Sequence, residues 1–127
     1  MYKVPWHEAI TQHGDYVVYS LTENNLYKYS KLGDKIWCVH MTGKVYGLCV
    51  DKEDQILVCL DDDVEVYDQK GNKMVSLSSS SDRQLDPYDV CTSGEILICD
   101  YSTKSILLFN KQYKFVKELI QCDWIPR

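Results

Sequence analysis

The sequence predicts an all-β protein made of three copies of a four-stranded antiparallel unit. Strand-like segments recur at a fixed offset, turn residues separate them, and none of the 127 residues lies in a stretch with sustained helical periodicity. Four short strands in about 40 residues are typical of a β-propeller blade. We therefore expect three blades, approximately residues 4–41, 45–77 and 87–120.

The repeat is clearest in the second strand of each copy. Tyr16, Ile56 and Ile96 are separated by 56 − 16 = 40 and 96 − 56 = 40 residues. The aligned segments are Asp15–Tyr19, Gln55–Cys59 and Glu95–Cys99 for the second strand, Leu26–Tyr29, Val64–Tyr67 and Ile106–Phe109 for the third strand, and Trp6–Ala9, Tyr46–Cys49 and Tyr88–Cys91 for the first strand.

The second copy shows all four strands of the unit. They are predicted at Val45–Asp51, Ile56–Leu60, Val64–Tyr67 and Met74–Leu77. Gly71-Asn72 separates the third and fourth strands, where a tight hairpin needs residues that accept a positive φ.

The third copy resembles an NHL repeat. The run from Pro87 to Asp100 contains a proline, a hydrophobic first strand, a glycine turn and a second strand that ends in aspartate, and the third strand ends in the aromatic Phe109. The second copy departs from this pattern with Leu60 at the aspartate position, and the first copy departs from it with Ser20.

This resemblance implies a propeller, most often six-bladed, of which residues 1–127 would be a single half-ring fragment. NHL propellers commonly end tripartite-motif ubiquitin ligases, where they recognise protein or RNA, and related propellers include lactonases. Three blades leave two bare flanks. We therefore expect either part of a longer chain or a homodimer that closes a six-bladed ring.

An aromatic row suggests a binding site. Trp6, Tyr46 and Tyr88 each open an inner strand at equivalent positions, so they should surround one mouth of the channel. Packing between blades is the alternative role for these rings. The leading functional prediction is a non-catalytic module that recognises a protein partner through its loop face, with no cofactor.

An acidic run and a serine-rich segment fall on the same loop face. Asp61, Asp62 and Asp63 could bind a cation or a basic peptide, but they lack calcium-loop spacing, which favours a solvated acidic turn. The segment containing Ser80 and Arg83 could be a recognition loop or a phosphorylation site, although its composition favours a plain flexible loop.

The resemblance leaves two alternative functions, an RNA-binding NHL module and a lactonase-type hydrolase with calcium in the channel. Glu8 and Asp89 are interpreted as equivalent inner-strand carboxylates that could hold the ion, with Gly47 at that position in the second copy. No zinc spacing, phosphate loop or nucleophile-elbow motif is present in the sequence.

Composition narrows the partners and the compartment. The net charge is −5 and no Lys/Arg cluster occurs, which makes nucleic acid an unlikely partner. No apolar run reaches the ~20 residues of a membrane span, and the first residues do not resemble a signal peptide. Four of the six cysteines fall at repeat-equivalent core positions, which predicts reduced thiols and a cytoplasmic protein.

Overall fold

The computed structural model describes the backbone of residues 6–121 and the side chains of residues 8–121. The first sheet contains β1 (Trp6–Ile10), β2 (Tyr16–Ser20), β3 (Asn25–Tyr29) and β4 (Lys35–His40). The second sheet contains β5 (Gly47–Val50), β6 (Ile56–Cys59), β7 (Val64–Tyr67) and β8 (Lys73–Ser76). A short helix, α1 (Leu77–Ser81), follows. The third sheet contains β9 (Pro87–Thr92), β10 (Ile96–Asp100), β11 (Ser105–Phe109) and β12 (Phe115–Gln121).

Each sheet is an antiparallel meander in which strands that are consecutive in sequence are also neighbours in space. The first strands of the sheets lie side by side, because β5 contacts both β1 and β9. Sheets that radiate from a row of inner strands are propeller blades. The prediction of an all-β propeller with three four-stranded sheets is confirmed. In the second copy, the predicted strand ends agree with the observed ones to within two residues.

Strand β6 shows what holds the sheets together. All four residues from Ile56 to Cys59 are fully buried. Side chains alternate along a strand, so Ile56 and Val58 pack toward the first sheet while Leu57 and Cys59 pack toward the third. Each such apolar side chain stabilises the fold by about 1.5–3 kcal/mol.

Two apolar layers result from this alternation. The layer between the first and second sheets contains Val17, Tyr19, Leu26, Met41, Val45, Ile56, Val58, Leu60 and Tyr67. The layer between the second and third sheets contains Leu57, Cys59, Val64, Val66, Leu77, Leu85, Val90, Ile96, Ile98, Leu107 and Phe109.

The serine-rich segment is helical, so the expectation of a plain flexible loop is wrong for Leu77–Ser81. Ser76 caps the helix by accepting a hydrogen bond from the Ser79 amide at 3.4 Å, and Leu77 is fully buried between the sheets. The caps and the buried leucine outweigh the weak helix propensity of serine. Among residues 6–121, no helix is long and apolar enough to cross a membrane.

Asp54 takes a left-handed conformation at a position where the other two sheets have glycine. Its φ is 61°, and Gly14 and Gly94 have φ of 87° and 95°. A non-glycine residue pays a steric cost there. At Asp54 this cost is offset by hydrogen bonds. Its buried carboxylate accepts one from the backbone amide of Gln12 at 2.6 Å and contacts the ring of His13. Asp54 therefore ties the second sheet to the first.

Replacing Asp54 with alanine should lower the free energy of unfolding by about 2–3 kcal/mol at pH 7, because the Gln12 amide loses its charged acceptor. Chemical denaturation measures the change. Asp54→Gly is the matched control, since it relieves the left-handed conformation but also removes the carboxylate. A glycine variant more stable than the wild type by about 1 kcal/mol or more, the cost of the left-handed conformation, would show that the hydrogen bonds contribute nothing.

Lowering the pH should remove the stability that the Asp54 carboxylate contributes. Burial raises the pKa of Asp54, but the Gln12 amide and His13 more than offset this, so the pKa lies below its ordinary value. Stability from a carboxyl with a depressed folded pKa is present above the unfolded pKa of about 3.9 and is lost as pH falls through the folded pKa. The difference in unfolding free energy between wild type and Asp54→Asn should shrink when both are measured at about pH 2 instead of pH 7.

Candidate functional site

One end of the three sheets forms a rim, which we define by the turns 21–24, 60–63 and 101–104 and by the residues that begin the inner strands. Strand pairing brings these parts together, because Trp6 pairs with Ser20, Gly47 with Cys59 and Pro87 with Asp100. The beginning of each inner strand therefore lies beside the turn that follows the second strand of its sheet. Loops held on rigid strands in this way are common positions for binding residues.

The aromatic row begins at this rim. The Tyr46 side chain is 37% exposed, and the ammonium of Lys44 lies 5.1 Å from the centre of its ring, within cation–π range. Tyr88 is half-buried in β9. The side chain of Trp6 lies outside the residues described. Tyr46 is thus the member of the row whose exposed ring the structure shows.

The acidic run divides into two functional parts. Asp63 Oδ1 accepts hydrogen bonds from the amides of Val64 at 2.8 Å and Ser78 at 2.9 Å, and Oδ2 accepts one from the Ser76 hydroxyl. Asp63 therefore anchors the start of α1. Asp61 and Asp62 are exposed, and their carboxylates accept no hydrogen bond from residues 8–121.

Asp100 holds the rim of the third sheet. Its buried carboxylate accepts hydrogen bonds from the Asp86 amide at 2.7 Å and from the amide and hydroxyl of Thr103 at 3.1 and 2.7 Å. It therefore fixes the end of the segment that connects the second and third sheets. In the first sheet Ser20 takes a smaller part, accepting a hydrogen bond from the Glu23 amide at 3.4 Å.

An open cleft of about 530 Å³ lies at the rim between the second and third sheets. Its lining residues are Asp61, Asp62, Gln84, Leu85, Asp86 and Ser102. The sequence placed the loops of Asp61 and Ser102 on one face of the molecule. It also placed residues 78–86, the segment before the third inner strand, on that face. It gave no sign that Gln84–Asp86 would form a cleft with these loops, because the cleft depends on the hydrogen bond from the Asp86 backbone amide to the Asp100 carboxylate.

Ser80 and Arg83 do not line this cleft. The Ser80 hydroxyl donates a hydrogen bond to the Tyr113 carbonyl at 2.6 Å, and the Arg83 guanidinium stacks 4.1 Å from the Phe115 ring centre. Both residues join the connecting segment to the third sheet. Their predicted part in recognition stays a prediction, and the contacts give each of them a structural role.

The predicted equivalence of Glu8 and Asp89 is wrong by one residue. The residues at the position of Glu8 form the pairs Glu8–Val18, Leu48–Val58 and Val90–Ile98. Asp89 instead aligns with Gly47, and a Cβ at Gly47 would lie 3.0 Å from the Asp89 carboxylate. A shift of one residue turns a side chain to the opposite face of a sheet. Glu8 and Asp89 therefore do not form a repeated set.

The metal alternative gains no support from a ligand cluster. Among the residues the structure describes, no group of three or more His, Cys, Asp or Glu side chains is arranged to hold a metal ion. Calcium remains a prediction, and metal analysis of the purified protein tests it.

The buried thiols are poor candidates for catalysis. Burial raises the pKa of Cys49 to about 12 and also raises the pKa of Cys59 well above its ordinary value. The thiolate is the nucleophilic form of cysteine, so these groups are unreactive at neutral pH. They serve as small apolar side chains in the layer between the second and third sheets.

No protein-family model matches the chain, and no curated protein matches it. Its structure is similar to those of propeller-like proteins. They include hydrazine synthase of Kuenenia stuttgartiensis (12% identity, TM-score 0.73), virginiamycin B lyase of Staphylococcus aureus (12% identity, TM-score 0.70) and glutaminyl cyclase of Myxococcus xanthus (12% identity, TM-score 0.59).

These matches cover 91%, 90% and 87% of this chain, and 35%, 40% and 50% of the respective proteins. The chain therefore spans between about a third and a half of their length. Likeness at this level of identity shows the fold alone. The NHL character of the repeats stays a prediction.

The division of the acidic run is testable by stability measurements. Asp63→Ala should lower the free energy of unfolding by about 2–4 kcal/mol, because it leaves the Ser78 amide and the Ser76 hydroxyl without their acceptor. Asp61→Ala, the matched control, should change it by less than about 0.5 kcal/mol. Equal losses in the two variants would contradict separate roles for the two aspartates.

Proposed function

We propose that the protein is a non-catalytic binding module that uses its rim to recognise a protein segment rich in basic side chains. The observation that supports this most directly is the pair of exposed carboxylates, Asp61 and Asp62, which line an open cleft at the same rim as Tyr46. The proposed partner is thus defined by charge and by a side chain that can contact an aromatic ring.

The cleft suits a basic side chain of a bound peptide segment in an extended conformation. Asp61, Asp62 and Asp86 line it, and Gln84 and Ser102 add neutral polar groups. An arginine of a bound segment could donate two parallel hydrogen bonds to one carboxylate. Because Asp63 and Asp100 hold the cleft walls, such a segment would meet carboxylates that are already in place.

Tyr46 would supply the aromatic contact. Tyrosine is enriched at the energetic centres of interfaces because a rigid ring contributes a large contact area at low entropic cost. The stacked Lys44 shows that this ring face accepts a cation within the chain itself. A basic side chain of the partner could replace it. Trp6 and Tyr88, predicted to complete the row, would extend the same surface.

Charge argues against nucleic acid at this rim. The chain carries a net charge of −5, and the cleft adds exposed carboxylates where phosphates would need cations. Protein is therefore the partner class that the rim favours. The resemblance to NHL propellers implies recognition of protein or RNA, and the charge of the rim favours protein.

Binding can be tested with a fluorescein-labelled peptide of alternating arginine and alanine, measured by fluorescence anisotropy. The double variant Asp61→Asn with Asp62→Asn should raise the dissociation constant about fivefold to tenfold, as expected for the loss of two partly exposed ion pairs. The effect should be smaller at high salt. A peptide of alternating glutamate and alanine should not bind.

The matched control keeps the same net charge. Asp34→Asn with Glu118→Gln also removes two exposed carboxylates, but these lie in the β3–β4 turn and on β12, away from the cleft. If both double variants weaken the peptide equally, attraction to the overall charge explains the binding and the rim site is rejected.

The aromatic contribution is tested at Tyr46. Tyr46→Ala should raise the dissociation constant of the arginine peptide about tenfold, whereas Tyr46→Phe should keep it within about twofold, because the ring provides the contact. The unfolding free energy of both variants should stay within about 1 kcal/mol of wild type, since the side chain is 37% exposed. A collapse of stability in Tyr46→Ala would identify Tyr46 as a packing residue instead.

A further inference from the structure

The first and third sheets each have one apolar face that no other described part of the chain covers. The leading face, on the first sheet, contains Ile10, Tyr16, Val18 and Tyr29. Ile10 and Tyr16 are 63% and 43% exposed. The trailing face, on the third sheet, contains Cys91, Leu97, Cys99, Ile106 and Leu108. Each face lies on the side of its sheet that points away from the second sheet, because its residues alternate with those of the buried layers.

The trailing face repeats a surface that is already covered elsewhere in the molecule. In the second sheet, Leu57 pairs with Val66 and Cys59 pairs with Val64, and all four side chains are fully buried by the third sheet. The same pairs recur in the third sheet one repeat later. The equivalent residues are Leu57 and Leu97, Cys59 and Cys99, Val64 and Ile106, and Val66 and Leu108.

The leading face repeats the surface that does the covering. Tyr16 pairs with Tyr29 in the first sheet, Ile56 with Tyr67 in the second, and Ile96 with Phe109 in the third. In the second and third sheets these pairs are buried against the preceding sheet. The molecule already forms two sheet-to-sheet joints, one in each apolar layer. In each joint a surface like the trailing face packs against a surface like the leading face, and one copy of each surface is left uncovered.

We propose that a second copy of this chain covers both faces, with the trailing face of each copy packed against the leading face of the other. The copy number follows from the geometry of the fold. A closed ring built from three-sheet units has a multiple of three blades, and propellers typically have about four to eight. Six is the multiple of three in that range, so two copies complete the ring.

Side-chain sizes favour this pairing over contact between two like faces. The leading face has the large rings of Tyr16 and Tyr29, and the trailing face has leucine, isoleucine and the smaller cysteines. Large side chains opposite smaller ones can interdigitate to native density. Pairing two trailing faces would leave both leading faces in water, whereas the ring covers all four.

The mass in solution tests the assembly. Light scattering coupled to size-exclusion chromatography at about 10 μM should give twice the chain mass. Leu97→Lys, on the trailing face, and Tyr16→Glu, on the leading face, should each give a folded monomer, because either change places a charge in both joints of the ring. Circular dichroism checks that each variant is folded.

Mixing the two variants distinguishes the ring from other dimers. In a mixed dimer, one joint has two unaltered faces and the other pairs the lysine with the glutamate. An equimolar mixture should therefore recover the dimer mass that neither variant shows alone. Leu32→Lys, at a turn residue that is 90% exposed and lies on neither face, is the control and should remain dimeric.

Three results would overturn the proposal: a wild-type monomer at about 100 μM, an assembly of more than two copies, or a single face variant that remains dimeric. A monomer would point instead to further blades in a longer chain or to a different partner. The assembly does not depend on the rim, so the double variant of Asp61 and Asp62 should remain a dimer. Failure of the peptide-binding proposal and failure of the ring are therefore distinguishable.

Discussion

Burial of both faces of the second sheet is the constraint on which the rest of the structure depends. Strand β6 has side chains in two apolar layers at once, and neither layer exists without a neighbouring sheet. Antiparallel sheets often leave one face in water, where a strand alternates polar and apolar residues. The strand from Ile56 to Cys59 has no polar side chain, so its sequence suits only a sheet that lies between two others.

Three aspartate carboxylates, two of them buried, hold in place the connections that the apolar layers do not reach. Asp63 holds the start of the segment between the second and third sheets, and Asp100 holds its end. Asp54 ties the turn of the second sheet to that of the first. These three aspartates accept hydrogen bonds from backbone amides, and a hydrogen bond to an ionised carboxylate is stronger than one between neutral groups. Asp61 and Asp62, in contrast, are exposed to solvent.

The repeat made most of the fold predictable, because an offset of 40 residues places equivalent side chains in equivalent layers. The helix α1 was missed because its stability comes from the caps at Ser76 and Asp63 and from burial of Leu77, not from helical periodicity. The predicted equivalence of Glu8 and Asp89 was wrong because a shift of one residue moves a side chain to the other face of the sheet. On so short a strand, the residue composition does not reveal such a shift. The cleft could not be predicted, since its lining depends on how the connecting segment between two sheets folds back.

The rate at which Cys59 is alkylated reports how often the second and third sheets separate. Cys38 is exposed, whereas Cys59 is fully buried between the second and third sheets. Burial raises the pKa of the Cys59 thiol, so it is both shielded and protonated while the sheets are in contact. An alkylating reagent added to the native protein would modify Cys38 at once and reach Cys59 only when the two sheets part. The lag between the two labels measures how often one blade separates from the next, with no probe attached to the chain.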